Sequence, residues 1–285
     1  MPGAPDPLYV LARRVLFDAL EALGEQRAAI TLVGAQAIYI HTGDADLAVA
    51  ATTTDADIAV DPGALLGDPK LAEAMTGGGF AADPQDVGRW TKQVERDGEL
   101  ATVAVDLMVP EAVADPTGRR AARLGEHGDR TARKAKGLEA ALVDRETATV
   151  TALEDTDPRA FEVAVAGPGA LLVAKLHKIW ERIDAPRGQE NKDALDVLRL
   201  MRGVPMERIA SILDVLLTDA LAADVTREAI GFLKELFSTP TGRGSRMAAD
   251  AAAGLVVEDT IVRSCAALAS ELLDALDHVG PETRP

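Results

Sequence analysis

Apolar positions in the first sixty residues follow two different periods. Between Pro7 and Leu23 they recur at helical spacing and a glycine follows, which predicts an amphipathic helix. AAITLVG at 28–34 and TDADIAV at 54–60 are short apolar runs, and each predicts a strand. Between them, AQAIYIHTG at 35–43 predicts a helix that stops at its final glycine. The predicted order is therefore helix, strand, helix and strand.

The middle of the chain changes from helical spacing to alternation. Residues 62–75 predict a helix interrupted by glycine and proline, and the glycines at 77–79 end it. RWTKQVER at 89–96 and LATVAVDLMVP at 100–110 are bounded by turn residues and alternate in polarity, so each predicts a strand. Three more short strands are predicted within 137–166, from GLEAALVD, ETATVTAL and AFEVAV.

From Gly167 onward the apolar runs have helical spacing. GPGALLVAKLHKIWERI begins with a proline, as many helices do. Further helices are predicted from NKDALDVLRLM, PMERIASILDVLL, TREAIGFLKELF and VEDTIVRSCAALASELLDALDHV. TPTGRGSRM at 239–247 is predicted to be a mobile basic loop or a linker. The whole pattern predicts an α+β protein, with an α/β domain of mixed sheet at 1–166 and a helical domain at 167–285.

Composition narrows the class of protein. The chain is 47% hydrophobic but only 3% aromatic, so its core should consist of Leu, Val, Ile and Ala. The single cysteine, Cys265, excludes an internal disulfide framework and favours a cytoplasmic protein. It shares a helical stripe with Ile261 and Leu272, so we expect a small core residue. We expect no signal peptide and no membrane span, because no apolar run has the necessary length.

Charge is distributed unevenly along the chain. The formal net charge is −16, which argues against indiscriminate binding of nucleic acid. Residues 119–136, RRAARLGEHGDRTARKAK, hold seven Arg or Lys and two acids, a local charge of +5 that leaves −21 on the remainder. This basic segment could meet a polyanion at one place, or it could equally be a solvated loop.

Three aspartates are the candidate reactive groups. Asp55 and Asp57 are two residues apart in a predicted strand, so both side chains point to one side. Asp106 is the lone carboxylate on the mixed face of the strand at 100–110. If adjacent strands bring the three together, they need cations to remain ionised, and Mg²⁺ with its preference for oxygen ligands is the best candidate. Paired metal ions serve displacement at phosphorus, which points to phosphoryl or nucleotidyl transfer.

The turn LVGAQA supplies a second part of such a site. Gly34 closes a predicted strand and opens a predicted helix, so backbone N–H groups of Gly34 and Ala35 can approach a phosphate. The order of glycine turn, helix, paired aspartates and a later strand aspartate is more specific than any one of these features.

These residues resemble the signature of the nucleotidyltransferase superfamily, the DNA polymerase β-like fold. Gly34, Asp55, Asp57 and Asp106 match its glycine motif, its DxD and its third strand aspartate. Ala35 replaces the second Gly or Ser of the first motif. The resemblance implies Mg²⁺ bound by Asp55, Asp57 and Asp106, with Asp106 also the base for the acceptor hydroxyl.

Residues 172–201 are similar to the helix pair of AbiEii-type toxins and their MenT-like relatives. The matching positions are Lys175, Arg182, Lys192, Asp193 and Asp196. The resemblance implies that Lys175 contacts the triphosphate and that Asp193 completes the active site from the helical domain, with Asp196 as the alternative acid. Thr53 fits the family stretch R-x-T-x-D as a nucleotide-binding residue, whereas Ala51 replaces its arginine.

Structural interpretations of the same residues stay open. Lys192, Asp193, Asp196 and Arg199 could form a solvated helix face with ion pairs at i,i+3 and i,i+4. Lys175 could extend along an apolar helix to solvent. His177 and Trp180 are expected to pack their helix against the sheet, and the four histidines lack the spacing of a zinc site.

The expected function is an Mg²⁺-dependent nucleotidyltransferase that moves an NMP from an NTP to an acceptor hydroxyl. The resemblance implies a toxin-like role, a tRNA 3′ end or a protein as acceptor, and a cognate antitoxin as partner. Two alternatives are transfer to a small, aminoglycoside-like molecule and non-catalytic nucleotide binding.

Overall fold

The computed structural model describes residues 6–43, 52–96, 98–117, 119–184 and 190–278. Helices and one mixed sheet account for the fold, as the α+β prediction requires. Contacts divide the chain into two compact units. The first unit contains the described residues of 1–37, 51–135 and 145–166, and the second contains those of 38–50, 136–144 and 167–285.

The sheet belongs to the first unit. Its strands are β1 (Ile30–Val33), β2 (Asp55–Val60), β3 (Ala81–Ala82), β4 (Arg89–Arg96), β5 (Glu99–Pro110), β6 (Arg133–Ala135), β7 (Arg145–Thr151) and β8 (Ala160–Ala166). They lie in the order β3-β4-β5-β2-β1-β8-β7, and β6 pairs with the end of β5. The pairs β2–β5, β1–β8 and β5–β6 are parallel and the others are antiparallel.

One face of this sheet is apolar and packs on the first helix, α1 (Pro7–Ala22). The Asp6 carboxylate caps α1 by accepting from the backbone N–H of Leu8 at 2.8 Å. Phe17 of α1 meets Phe161 of β8 edge to face, with ring centroids 5.0 Å apart. Asp18, one residue further, forms an ion pair with Lys92 of β4 at 2.8 Å. Side chains alternate between the two faces along each strand. Every second side chain therefore lies on the opposite face of the sheet, away from α1.

The helices after α1 are α2 (Gly34–Thr42), α3 (Leu71–Gly77), α4 (Ala140–Val143), α5 (Pro168–Arg182), α6 (Glu190–Gly203), α7 (Met206–Thr218), α8 (Ala223–Phe237), α9 (Arg243–Ala251) and α10 (Glu258–His278). Among the described helices, none is long and apolar enough to cross a bilayer. Helices α4 to α10 belong to the second unit, and α2 begins in the first unit and ends in the second.

Most predicted elements are present, and three predictions were wrong. GLEAALVD was predicted as a strand but contains the helix α4. The loop predicted at 239–247 contains the first half of α9. The helix predicted over 62–75 is reduced to one 3₁₀ turn, Pro62–Ala64, and the separate helix α3.

Aromatic and sulfur side chains pack the second unit. Trp180 stacks on Phe232 of α8 with centroids 4.4 Å apart, and His177 meets the same ring edge to face at 5.2 Å. The Nε2 of His177 also lies 2.8 Å from the carbonyl oxygen of Val225. These two side chains therefore pack α5 against α8, whereas the sequence predicted the sheet as their partner. Cys265 is buried, as expected of a small core residue.

Candidate functional site

Asp57 and Asp106 are direct neighbours in the sheet. They are register partners on the parallel strands β2 and β5. Adjacent strands lie about 4.8 Å apart and partner residues point to the same side, so both carboxylates project from one face. This is the face opposite α1. Two like charges at this separation repel unless cations compensate them.

Asp55 lies on the same face, one row earlier. Its register partner on β5 is Ala104, so it is farther from Asp106 than Asp57 is. Its Oδ1 accepts from the hydroxyl of the buried Thr53 at 2.9 Å. Its backbone oxygen accepts from Nε2 of Gln36 at 3.2 Å, and the oxygen of that amide accepts from Nε of Arg13 at 2.8 Å. These bonds connect the start of β2 with the first turn of α2.

Gly34 lies against the carboxylate of Asp57. Its backbone φ is +70°, a left-handed conformation that favours glycine. A β-carbon at this position would come within 2.1 Å of Oδ2 of Asp57. The residue after it, Ala35, is buried. The glycine turn therefore brings the N-terminus of α2 beside Asp57, whereas the sequence motif predicted the close approach of a phosphate.

Two arginines approach Asp106 from neighbouring strands. Arg89, the register partner of Asp106 on β4, places Nη1 at 3.4 Å from Oδ1. Arg133 of β6 places Nη2 at 3.6 Å from Oδ2. Asp57, Asp106 and Arg89 thus form one row across β2, β5 and β4, and Arg133 lies one row further along the face. Neither member of this arginine pair (Arg89 and Arg133) was predicted from the sequence to belong to the site.

The donor set suits Mg²⁺ in one particular way. Within the ranges that the structure describes, no three His, Cys, Asp or Glu side chains are arranged as ligands of one metal ion. Mg²⁺ is commonly held by one or two carboxylates together with water and substrate phosphates rather than by a complete protein cage. Asp57 and Asp106, as register partners on adjacent strands, supply two carboxylates of that kind.

The Lys175 cluster (Lys175, Lys178, Asp193 and Asp196) lies in the second unit, between α5 and α6. Nζ of Lys175 is 2.6 Å from Asp193 and 2.7 Å from Asp196, and all three side chains are buried. Nζ of Lys178 lies 3.1 Å from Asp193. The interpretation of Asp193 and Asp196 as a solvated face was therefore wrong, and Lys175 does not extend to solvent.

Burial and charge act in opposite directions on the pKa values of this cluster. Burial by itself lowers the pKa of Lys175, but the attraction of Asp193 and Asp196 outweighs it and raises that pKa well above 10.5. Burial likewise raises the pKa of Asp193, and Lys175 and Lys178 outweigh it, so that this pKa falls to about 2. Lys175 and Asp193 are thus both ionised at neutral pH.

Arg199 continues α6 beyond the Lys175 cluster and is also buried. Its guanidinium lies over the ring of Tyr39, 5.0 Å from the centroid. This residue, too, was wrongly assigned to a solvated face. Ala51, the position of the missing family arginine, lies outside the described residues.

The basic segment (119–136) forms a short antiparallel arm beside β6. Ala121 bridges to Arg133, and Ala122 donates from its backbone N–H to the carbonyl of Ala132 at 3.0 Å. The exposed arginines of the segment are Arg119, Arg120, Arg123 and Arg130. The solvated arginines are therefore connected, through β6, with the arginine that contacts Asp106.

Comparison of the chain with protein-family models, with curated proteins and with solved structures found no match.

Proposed function

We propose that the first unit is an Mg²⁺-dependent nucleotidyltransferase that moves an NMP from an NTP to an acceptor hydroxyl. The observation that supports this most strongly is the register of Asp57 with Asp106 on adjacent parallel strands. Two neighbouring carboxylates with oxygen donors only are suited to a hard divalent cation. Both side chains project from the sheet face opposite α1, so the cation and its substrate would lie on that face.

The glycine turn supports a phosphate ligand beside the cation. Gly34 has no side chain between the N-terminus of α2 and the carboxylate of Asp57. Backbone N–H groups at a helix N-terminus bind phosphate, and the helix dipole adds partial positive charge there. A triphosphate at this turn would lie next to the metal carboxylates, as nucleotidyl transfer requires.

The proposed chemistry consists of positioning and charge neutralisation. Mg²⁺ at Asp57 and Asp106 would neutralise the charge that develops on the α-phosphate and the leaving pyrophosphate. Asp106 would also accept the proton of the attacking hydroxyl, as the family resemblance implies. Asp55 would orient the site through Thr53. Lys175 and Asp193 are proposed as part of the same enzyme, as the family resemblance implies.

The acceptor is proposed to be a tRNA 3′ end or a protein hydroxyl, in a toxin-like role with an antitoxin as partner. The exposed arginines of the basic segment support an anionic acceptor more than a cationic, aminoglycoside-like one, because like charges would repel. Of the two proposed acceptors, RNA is the one that carries a phosphate backbone for such an arm to bind.

The test is transfer of label from each α-³²P-NTP to total RNA, to purified tRNA and to protein, with and without Mg²⁺. We expect a labelled RNA or protein product that requires Mg²⁺ and is absent with Asp57→Asn. Asp155→Asn, which alters an exposed acid of the first unit outside the basic segment, is the matched control. Absence of product with every nucleotide and acceptor, from folded protein, would contradict the proposal.

A further inference from the structure

Each member of the arginine pair (Arg89 and Arg133) makes one long contact with the carboxylate of Asp106. Each guanidinium reaches one carboxylate oxygen, at 3.4 Å and 3.6 Å, which is longer than a well-formed charge-assisted hydrogen bond. The side chains are 36% and 18% exposed, against 13% for Asp106. Arginines held in this way compensate the charge of Asp106 but retain donors for a second anion.

The backbone around both arginines is closely fitted. Gly88 precedes Arg89 and has a φ of +77°. A β-carbon there would come within 2.5 Å of the backbone nitrogen of Arg133 and 2.6 Å of the oxygen of Leu107. Gly88 also accepts from the N–H of Leu107 at 2.7 Å and donates to the carbonyl of Arg130 at 3.1 Å. The two arginines therefore lie one after the other along the same edge of β5, and the close fit of Gly88 holds the strands that carry them.

We infer that the arginine pair exchanges partners when substrate binds. Without nucleotide, Arg89 and Arg133 hold the carboxylate of Asp106. When Mg²⁺ takes that carboxylate, the guanidiniums bind phosphate oxygens of the incoming triphosphate. A guanidinium offers two parallel N–H donors to phosphate, so the exchange replaces a loose contact by a bidentate one. The identity of the anion rests on the proposed function.

This exchange has opposite consequences for the two ligands. Without nucleotide the arginines compete with a divalent cation for Asp106, so they weaken its binding. With nucleotide they contribute phosphate contacts, so they strengthen nucleotide binding. Substitution of a residue that only maintained the fold would weaken the binding of both ligands or of neither.

The experiment compares Arg89→Gln and Arg133→Gln with Arg130→Gln. Arg130 lies on the same segment but donates to the carbonyl of Pro84 at 3.1 Å rather than to Asp106, so it controls for the loss of one charge. Mn²⁺, a spectroscopic substitute for Mg²⁺, is titrated without nucleotide and followed by electron paramagnetic resonance. Binding of the α,β-methylene analogue of each NTP is then measured by calorimetry at saturating Mn²⁺.

We expect Arg89→Gln and Arg133→Gln to bind Mn²⁺ about 2- to 5-fold more tightly than wild type, the range for loss of a partly exposed ion pair. We expect the same variants to bind the analogue about 10- to 100-fold more weakly, the range for a lost charge-assisted hydrogen bond. Arg130→Gln should change neither by more than about 2-fold. Arg133→Lys should leave Mn²⁺ binding as in wild type but weaken analogue binding, because lysine retains the charge without the bidentate geometry.

Two results would overturn the inference: Mn²⁺ affinity that falls in the glutamine variants, or analogue affinity that equals the Arg130→Gln control. Either result leaves the transfer assay intact, so the proposed function could still stand. Conversely, the glutamine variants could bind Mn²⁺ more tightly and the analogue more weakly, as expected, while wild type transfers no NMP. That result would refute the proposed function alone. Thermal denaturation of each variant identifies any that is unfolded. If a glutamine variant is unfolded, Arg133→Lys, which conserves the charge, supplies the test.

Discussion

Gly34 and Asp57 are so close that no larger residue fits between them. A β-carbon on Gly34 would lie 2.1 Å from Oδ2 of Asp57. The glycine therefore has two functions: it provides the left-handed turn that ends β1, and it leaves the Asp57 carboxylate its place beside Asp106. The left-handed turn and the position of the Asp57 carboxylate both require a residue without a β-carbon at position 34.

Replacing Gly34 by alanine should harm the site more than the fold. We expect loss of about 1–2 kcal/mol of unfolding free energy from the positive φ, with a further loss from the contact with Asp57. Displacement of that carboxylate should abolish Mn²⁺ binding, measured by electron paramagnetic resonance. Gly43→Ala, beyond the other end of the same helix, is the matched control, because its φ is +54° and a β-carbon there meets nothing within 4 Å. Equal effects of the two variants on Mn²⁺ would show that the contact has no role.

Removing either neighbouring carboxylate should separate activity from stability. We expect Asp57→Asn and Asp106→Asn to reduce NMP transfer by at least about 100-fold, as loss of one transition-state group commonly does. Because neither carboxylate belongs to the apolar face, the unfolding free energy should change by less than about 1 kcal/mol. Transfer kinetics and urea unfolding measure the two effects. Loss of stability without loss of transfer would assign these acids to the fold.

Lys175 should be essential to the stability of the second unit. Lys175→Met leaves Asp193 and Asp196 buried without their main cation, which should cost about 3–5 kcal/mol at neutral pH. Lys178→Met removes a half-buried partner of Asp193 and should cost less. Trp180 fluorescence in a Trp90→Phe background reports the unfolding of this unit. If the Lys175 and Lys178 variants were equally stable, the Lys175 cluster would not hold α5 and α6 together.

The same cluster predicts the direction of a pH effect. The folded-state pKa of Asp193 is about 2 against an ordinary 3.8, so its contribution is complete above pH 3.8 and is lost as the pH falls towards 2. In Lys175→Met the main cause of this lowering is gone and burial raises the pKa instead. That variant should regain stability on acidification while wild type loses it. Urea unfolding at pH 7, 4, 3 and 2.5 gives both slopes, and parallel slopes would contradict the assignment.

Cys265 should be unreactive in the native protein. Burial raises the pKa of its thiol to about 12, so almost no thiolate exists at pH 8. We expect modification by an aromatic disulfide reagent to follow opening of the second unit and to be complete in guanidinium chloride. As the chain has one cysteine, the stoichiometry should be one. Rapid modification of folded protein would show that the thiol is accessible.

Local pattern was sufficient for much of the secondary structure. Alternation predicted β4 at the bounds that the structure has, and helical spacing predicted α5 to α8 and α10 to within a few residues. It failed for α9, whose buried residues are Gly244, Ser245, Ala248 and Ala249. Such small side chains leave no apolar stripe to detect. It also failed for α4, a four-residue helix, because so short an apolar run has no distinguishable period.

By itself, the sequence determined that Asp55, Asp57 and Asp106 belong to strands and that Gly34 opens a helix, since these properties depend on neighbours in the chain. Which acids are neighbours was decided only by tertiary structure. Pairing of β2 with β5 placed Asp106 beside Asp57 rather than Asp55, and pairing of β4 and β6 with β5 brought the arginine pair to the same carboxylate. Burial of the Lys175 cluster was likewise decided by packing of α5 on α6. Strand register and helix packing join residues far apart in the chain, and no local periodicity carries that information.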